Sequence, residues 1–389
     1  MQLGNVLLIG ESGVGKSTLI NAVLKREETE VGFGMTGTTQ KMEIYEGEGL
    51  PFRVIDTIGF EPTFFRKTKA INAVKKWSKD SARKKKEEAD DQEDKQIHAI
   101  WFCVEGTRRK LFYDTIKSML RATGMWKSIP IVVVITKSYS STESEENIKM
   151  VKEAFRKTRQ SERLKEVIPV VAAPFVIQDD IIVPPKGIDV LIDKTNELMP
   201  EAIRMSQQDV AAYILQRKRV LAQGVVAASV VLGVTVTAVP IPIADGLMLS
   251  SLELAEIKAI AAIYEIKKGD KSKRFIDSII EVGTVSAAAR AAISALKAIP
   301  GINIAASIMN GVIGGSFVTI LGEGAAYAFE QIYLGKKSLD DVDWVKKMME
   351  SKLADEFAGK AENVIKNLPE KPNFKNVSQL IVDTFSKKT

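Results

Sequence analysis

Short apolar runs alternate with longer polar or amphipathic stretches in the first half of the chain. Five of these runs are rich in β-branched residues and predict buried strands, at 6–10, 52–57, 97–104, 130–136 and 167–173. The stretches between the runs are long enough to form helices. This alternation is typical of a mostly parallel sheet with helices on both faces, and it predicts an α/β fold.

The second half of the chain is rich in Ala, Ile, Val and Gly and shows no strand pattern. Helices are predicted at 206–238, 246–268, 271–298, 302–334, 338–367 and 376–387, with prolines at several of the breaks. We therefore predict an α/β domain over 1–205 and an all-α domain over 206–389. A length of 389 residues agrees with two domains of ordinary size.

Charge and composition narrow the classes of function. Residues 1–205 carry 33 Lys and Arg against 30 Asp and Glu, so the net charge of +6 forms no basic tail and we expect no nucleic-acid partner. One cysteine and one histidine leave no disulfide framework and almost no zinc chemistry, which favours the cytoplasm.

Segment 79–95 is almost entirely charged and predicts a solvated insert within the α/β domain. The histidine, His98, lies in an apolar stretch and is predicted to be a core residue.

The strongest local pattern is a phosphate-binding loop. Residues 10–17 read GESGVGKS, which fits G-x-x-x-x-G-K-[ST] between a predicted strand and a predicted helix. Glycines let such a loop curl so that its N–H groups face a β-phosphate, and the helix N-terminus adds positive charge. Lys16 is predicted to bridge the β- and γ-phosphates, and the Ser17 hydroxyl to bind Mg²⁺. The predicted nucleotide-contacting residues here are Gly10, Glu11, Ser12, Gly13, Val14, Gly15, Lys16, Ser17 and Thr18.

Two further segments complete the predicted phosphate and metal site. The second apolar run ends in a D-x-x-G tetrad, whose Asp56 suits the water shell of Mg²⁺ and whose Gly59 amide suits the γ-phosphate. The glycine-rich loop 34–41 lies between the two motifs and carries the threonine that senses the metal and the γ-phosphate. We predict Thr39 for this role, with Thr38 as the alternative. Lys16 and Thr39 are the predicted catalytic residues.

The motifs GESGVGKSTLIN, GTTQ, DTIGF and IHAIWFCV, within 1–200, resemble the translation-factor-like class of P-loop GTPases, especially the branch with the Era/TrmE, septin and immunity-associated GTPases. The resemblance implies a G domain that binds GTP and GDP with Mg²⁺ and hydrolyses GTP. It also implies base contacts by Thr136, Lys137 and Ala172. Stretches 239–266 and 298–328 are similar to the YcjF-like helical domain, whose role is not established.

One departure from the family pattern concerns the base. The motif N/T-K-x-D normally supplies an aspartate that accepts hydrogen bonds from guanine, and here Tyr139 occupies that position. We expect weaker selectivity for guanine over adenine, with an ATPase as the lesser alternative. Glu143 or Glu145 would have to replace the aspartate.

Other departures concern hydrolysis. Phe60 stands where Ras-like proteins carry a glutamine that positions water, so we expect slow intrinsic hydrolysis. Gly13 stands where the Era/TrmE branch carries a potassium-binding asparagine, so potassium stimulation by that route is not expected. Arg108 and Arg109 are candidates for a catalytic cation supplied in cis or by a second copy.

Two uncharged stretches, 220–244 and 298–322, exceed the length that spans a bilayer. Pro240 and Pro242 shorten the first stretch, and asparagines interrupt the second. We predict core helices of a soluble bundle, with membrane contact through these stretches as the alternative.

The predicted function is a GTP-dependent switch. The alternative is a nucleotide-stabilised scaffold that forms a homodimer through its G domain or associates with a membrane.

Overall fold

A computed structural model describes residues 3–24, 42–57, 96–107, 112–124, 126, 128–158, 160–178, 181–238, 247–285 and 305–386. The chain forms two compact units, and each is discontinuous in sequence. The first comprises Met1–Ala173 and Pro185–Arg217, and the second comprises Pro174–Pro184 and Lys218–Thr389. The charged insert 79–95 lies outside the described residues.

The first unit contains a six-stranded sheet. Its strands are β1 (Gly4–Gly10), β2 (Met42–Glu46), β3 (Phe52–Thr57), β4 (Ala99–Glu105), β5 (Ile131–Thr136) and β6 (Leu164–Pro169). The spatial order is β2-β3-β1-β4-β5-β6, and all neighbours are parallel except β2 and β3. This sheet, followed by an all-helical region, confirms the predicted fold class. The sequence did not predict β2, a short edge strand that ends in a charged residue.

Helices cover both faces of this sheet. They are α1 (Lys16–Leu24), α2 (Phe112–Ala122), α3 (Ser141–Lys157) and α4 (Ile188–Glu197). On one face, Phe102 packs against Phe155 of α3 within a continuous apolar core. On the other face, Trp101 packs edge-on against Phe52, and its Nε1 donates to the Thr195 hydroxyl of α4 over 3.1 Å. Alternate residues of β4 therefore serve the two cores, as expected for a strand that is buried on both sides.

Parallel pairing brings the carboxyl ends of the strands to one edge of the sheet. Gly10 pairs with Cys103, and Glu105 pairs with Thr136. Near the opposite edge, His98 is buried and its Nδ1 accepts a hydrogen bond from the Asn5 amide over 3.0 Å. His98 is therefore a core residue, as predicted, although it lies just before β4 and not within it.

The second unit begins with a hairpin, at a place where no strand was predicted from the sequence. Strands β7 (Phe175–Gln178) and β8 (Ile181–Val183) pair antiparallel, and β8 packs against one of the helices of this unit. The helices are α5 (Gln207–Ala238), α6 (Leu247–Ile263), α7 (Asp270–Val285), α8 (Ala306–Tyr333), α9 (Val342–Lys352), α10 (Ala358–Lys366) and α11 (Phe374–Ser386). The first turns of α5, up to Arg217, belong to the first unit. A π-helical turn, Leu353–Phe357, separates α9 from α10 within the region predicted as one helix.

Helix α8 is the centre of the second unit and packs against α6, α7, α9, α10 and α11. Every residue from Gly311 to Gly322 is buried. A Cβ atom added to Gly315 would lie 2.6 Å from Cγ2 of Val234 on α5, so the glycine allows close helix packing. Two described helices are long and apolar enough to cross a membrane, α5 and α8. The apolar window of α8 is 83% buried, as in a core helix, whereas that of α5 is 39% buried.

Candidate nucleotide-binding site

The loop between β1 and α1 has the backbone that its glycines predict. Gly13 and Gly15 have φ angles of 79° and 97°, in the left-handed region that favours glycine. A Cβ atom on Gly10 would lie 2.9 Å from Cβ of Cys103, so the end of β1 also needs glycine. Helix α1 then begins with a bond from the Leu19 amide to the Gly15 carbonyl over 3.0 Å. The loop therefore turns tightly into a helix N-terminus, which is the geometry that binds phosphate.

Lys16 folds back over this loop. Its Nζ donates to the Gly10 carbonyl over 3.1 Å and to the Glu11 carbonyl over 3.2 Å. Burial raises the pKa of the Cys103 thiol beneath the loop to about 12, while the charges of Lys16 and Asp56 act on that thiol in opposite directions. Lys16 follows β1, and Asp56 pairs with Leu8 of β1, so the predicted phosphate-binding cation and the predicted metal-binding carboxylate lie in the same part of the sheet.

The predicted Mg²⁺ ligands are only partly within the described residues. Asp56 lies next to the end of β3, pairs with Leu8 of β1 and is buried. Ser17 is exposed in the first turn of α1. A carboxylate and a hydroxyl are hard oxygen donors, so the described part of the donor set fits Mg²⁺. Thr39, its alternative Thr38, and Gly59 lie outside the described residues.

The end of β5 holds the phosphate loop in place. The Thr136 hydroxyl lies 2.5 Å from the Val14 carbonyl and 3.1 Å from the Val104 carbonyl. Lys137 has a left-handed φ of 53°, and its Nζ donates to the Gly13 carbonyl over 3.1 Å. The same ammonium group forms an ion pair of 2.9 Å with Glu105 at the end of β4. Two residues predicted to contact the base therefore also brace the loop that is predicted to hold the phosphates.

The loop after β6 lies beside this turn. The Ser138 amide donates to the Val170 carbonyl over 3.2 Å, and the Val170 amide donates to the Ile135 carbonyl over 2.7 Å. Ala172, which follows two residues later, therefore lies in a loop that adjoins the Lys137 turn. Tyr139 is part of the same turn, and its amide donates to the Lys137 carbonyl over 2.9 Å. The structure thus brings Thr136, Lys137 and Ala172 to one edge of the sheet.

Two residues of this site were not predicted from the sequence. Glu105 anchors the Lys137 ammonium group, and its side chain is only 10% exposed. Asn147 of α3 is buried and donates from Nδ2 to the Gly106 carbonyl over 2.8 Å, which fixes the loop that follows Glu105. For Glu105 a signal existed: it is a charged residue at the carboxyl end of a buried strand, next to the strand of the phosphate loop. Asn147 carried no such signal, because it lies in the middle of a polar helix.

Comparison with known proteins agrees with this geometry. Residues 5–137 match the family model described as 50S ribosome-binding GTPase. The match supports a P-loop GTPase G domain in the first unit. It runs from β1 to the end of β5 and does not extend to the helical second half, whose YcjF-like resemblance stays a prediction. Among curated proteins, none matches the chain.

Several solved structures are similar to part of the chain. One is a probable GTP-binding protein engB, with 16% identity, a TM-score of 0.32, and coverage of 50% of this chain and 98% of that chain. Another is Era in complex with MgGDPNP and nucleotides of 16S ribosomal RNA, with 19% identity, a TM-score of 0.31, and coverage of 57% and 68%. A third is the septin GTPase domain from Chlamydomonas reinhardtii, with 16% identity, a TM-score of 0.30, and coverage of 44% and 75%.

Proposed function

We propose that this protein binds GTP and GDP at the phosphate loop, slowly hydrolyses GTP with Mg²⁺, and acts as a nucleotide-dependent switch. The observation that carries the proposal is the contact of Lys137 with both Gly13 and Glu105. This contact joins the predicted base-binding turn to the predicted phosphate-binding loop, as a site for a whole nucleotide requires. The family match over residues 5–137 supports the same proposal.

The residues of the loop suit a triphosphate. Phosphate oxygens would replace the two loop carbonyls that Lys16 contacts, and the N-terminus of α1 would add its partial positive charge. Ser17 and Asp56, with Thr39, would hold Mg²⁺. The bound ion would neutralise charge that develops on the phosphate oxygens during transfer. Slow turnover follows from Phe60, whose side chain has no group to orient water.

The base side of the site suggests reduced selectivity. A site that accepts hydrogen bonds from guanine discriminates strongly, because the wrong base leaves buried groups unpaired. Tyr139 replaces the aspartate that normally provides this acceptor. We therefore propose that GTP binds more tightly than ATP, but by a smaller factor than in GTPases that have the aspartate.

Titration with fluorescent nucleotides tests the proposal. Lys16→Ala should weaken GTP binding by about 100-fold, because the substitution removes the cation that is predicted to bridge the β- and γ-phosphates. The matched control is Lys194→Ala on α4, which removes a half-buried lysine paired with Glu197 and should leave GTP affinity unchanged. Unchanged affinity in Lys16→Ala would overturn the phosphate-site proposal. Equal or tighter binding of ATP would favour an ATPase.

The dependence of the hydrolysis rate on protein concentration distinguishes a switch that works as a monomer from a dimer-activated enzyme or scaffold. Arg108 or Arg109 from a second copy could supply the missing catalytic cation. In that case, the single-turnover rate should rise with protein concentration, and the double substitution of both arginines should remove the increase. A rate that is independent of concentration would exclude activation by a second copy.

We propose a cytoplasmic location for this protein, and membrane contact by α5 is a second candidate role. It is favoured by the low burial of the apolar window of α5, in which Val231 is 53% exposed. Sedimentation with phospholipid vesicles tests it: Val231→Glu should reduce binding at least tenfold. The matched control, Val190→Glu, changes a valine of similar exposure on α4 and should have no effect. Absence of the wild-type protein from the vesicle pellet would exclude this role.

A further inference from the structure

The C-terminal end of α1 is capped by side chains that follow about 190 residues later in the chain. The last carbonyls of a helix have no partner within the helix. Here the Tyr213 hydroxyl donates to the Val23 carbonyl over 2.7 Å. Arg217 donates from Nε to the Ala22 carbonyl over 2.8 Å and from Nη2 to the Asn21 carbonyl over 3.3 Å. Three consecutive carbonyls of the phosphate-loop helix are therefore held by one face of α5.

Burial makes this contact specific. Tyr213 and Arg217 are only 5% and 3% exposed, and the Tyr213 ring also lies against Gly49 in the turn between β2 and β3. A buried guanidinium group is costly unless polar groups face it. The carbonyl end of a helix is a favourable partner for a cation because it carries partial negative charge. Arg217 is thus tied to the position of α1, whose opposite end is the predicted phosphate site.

The next residue of α5 makes an equivalent contact in the second unit. Lys218 Nζ donates to the carbonyl of Ile263, the last residue of α6, over 2.9 Å. It also forms an ion pair of 2.7 Å with Glu265. The two units divide between Arg217 and Lys218. Two adjacent residues of one helix therefore cap the end of a helix in each unit.

We propose that Arg217 and Tyr213 couple the nucleotide site to helix α5, so that nucleotide binding at the N-terminus of α1 stabilises α5 beyond Arg217. The inference rests on the proposed nucleotide binding. Helix α1 has nine residues, so a displacement at its phosphate end is transmitted to carbonyls whose hydrogen bonds to Arg217 depend on direction. The chain also continues from α1 into the segment that carries Thr39. Coupling of this kind is reciprocal, so loss of the contact should change nucleotide affinity as well.

Hydrogen exchange on the full chain tests this coupling. Amide exchange in 218–238 is measured without nucleotide, with GDP and with a non-hydrolysable GTP analogue, and nucleotide binding is measured in the same samples. In the wild-type protein, nucleotide should slow exchange in 218–238 at least threefold. Arg217→Met should still bind nucleotide, more weakly, and should lose this difference. If Arg217 had only a structural role, its substitution would change exchange equally in all three states and would leave the difference between them in place.

Lys218→Met is the matched control, because it removes the neighbouring cap on α6 and leaves the cap on α1 intact. Exchange in 218–238 should become faster in all states, while the difference caused by nucleotide remains.

Tyr213→Phe removes one hydrogen bond and keeps the ring, so it should fold even if Arg217→Met does not. It should reduce the difference by about half.

The outcomes separate this inference from the proposed function. A wild-type protein that binds nucleotide with unchanged exchange in 218–238 would overturn the coupling and leave the nucleotide site in place. A full difference retained in Arg217→Met, or in Tyr213→Phe where Arg217→Met does not fold, would also overturn it. A wild-type protein that binds no nucleotide would overturn the proposed function, and the coupling with it.

Discussion

The nucleotide site of the first unit and helix α6 of the second unit hold their charged groups in different ways. In the first unit, Lys137 pairs with Glu105, and the buried Arg217 contacts the carbonyls of α1. In the second unit, Glu253 and Glu256 of α6 are buried. Neither carboxylate oxygen of Glu256 has a hydrogen-bond partner among the residues that the structure describes. The first arrangement positions a loop, whereas the second favours the neutral form of the acid.

Burial has a direct effect on proton binding in the second unit. It raises the pKa of Glu253 to about 7. It raises the pKa of Glu256 well above its usual range, and the charges of Glu253 and Glu323 add to the effect. We therefore expect pH to act on the helical unit through Glu253 and Glu256 of α6.

The largest expected effect concerns pH. The unfolded chain releases the Glu253 proton near its ordinary pKa of 4.5, and the folded unit holds it to about pH 7. The free energy of unfolding should therefore fall as the pH rises from 4.5 to about 7, by about 3 kcal/mol for this group. Glu253→Gln keeps the shape and removes the titration, so its stability relative to wild type should rise over the same range. Urea unfolding at several pH values measures this.

The exposed Glu362, paired with Lys366 on α10, provides the control for the pH experiment. Glu362→Gln removes one surface ion pair and should change the free energy of unfolding by less than about 1 kcal/mol. A gain in Glu253→Gln that does not change with pH would contradict the assignment of a neutral acid at this position.

Removal of a partnered charge in the first unit should lower the free energy of unfolding, whereas Glu253→Gln should gain stability relative to wild type as the pH rises. Lys137→Met leaves Glu105 buried without its ion pair and releases Gly13, so the nucleotide-free protein should lose about 1–3 kcal/mol of unfolding free energy. Lys194→Met removes a single ion pair between neighbouring turns of α4, and it should change the free energy of unfolding by less than about 1 kcal/mol. Equal effects of the two substitutions would contradict a structural role for the contacts of Lys137 with Gly13 and Glu105.

The smallest expected effect concerns packing around α8. A methyl group on Gly315 would approach Val234 and Ile381 to less than 3 Å, so Gly315→Ala should destabilise the second unit by about 1 kcal/mol after its gain in helix propensity. Gly359 on α10 has no atom within 4 Å of such a methyl group, so Gly359→Ala should stabilise it by about 0.5–1 kcal/mol. Thermal unfolding distinguishes the two signs.

Much of the fold could be predicted from the sequence because the buried elements repeat a simple pattern. The five apolar runs became β1, β3, β4, β5 and β6, within a few residues at each end. Strand β2 and the β7–β8 hairpin were missed. Strand β2 mixes apolar with charged residues, and the apolar runs of β7 and β8 are only three residues long, so pairing with neighbours determines them more than local pattern does. The π-helical turn before α10 has no periodic signal either.

The site could be predicted only where its chemistry is local in sequence. The phosphate loop, Asp56 and the Thr136–Lys137 turn each follow an apolar run, and strand ends are where parallel sheets bind ligands. The ion pair of Lys137 with Glu105 depends on the pairing of β4 with β5, which the sequence does not display. The cap on α1 by Arg217 joins residues 195 positions apart, and no motif marks it.

The path of the chain between the two units has a consequence for synthesis. The chain leaves the first unit at Ala173, contributes the β7–β8 hairpin to the second, and returns at Pro185 before it departs after Arg217. On the ribosome, the nascent sheet lacks the Tyr213 and Arg217 contacts until those residues emerge. The hairpin is synthesised before the helices of its own unit, although Ile182 of the hairpin is buried in the folded protein. A gene fragment that stops at codon 205 should therefore yield a sheet without its α1 cap and a hairpin without the helices of its own unit.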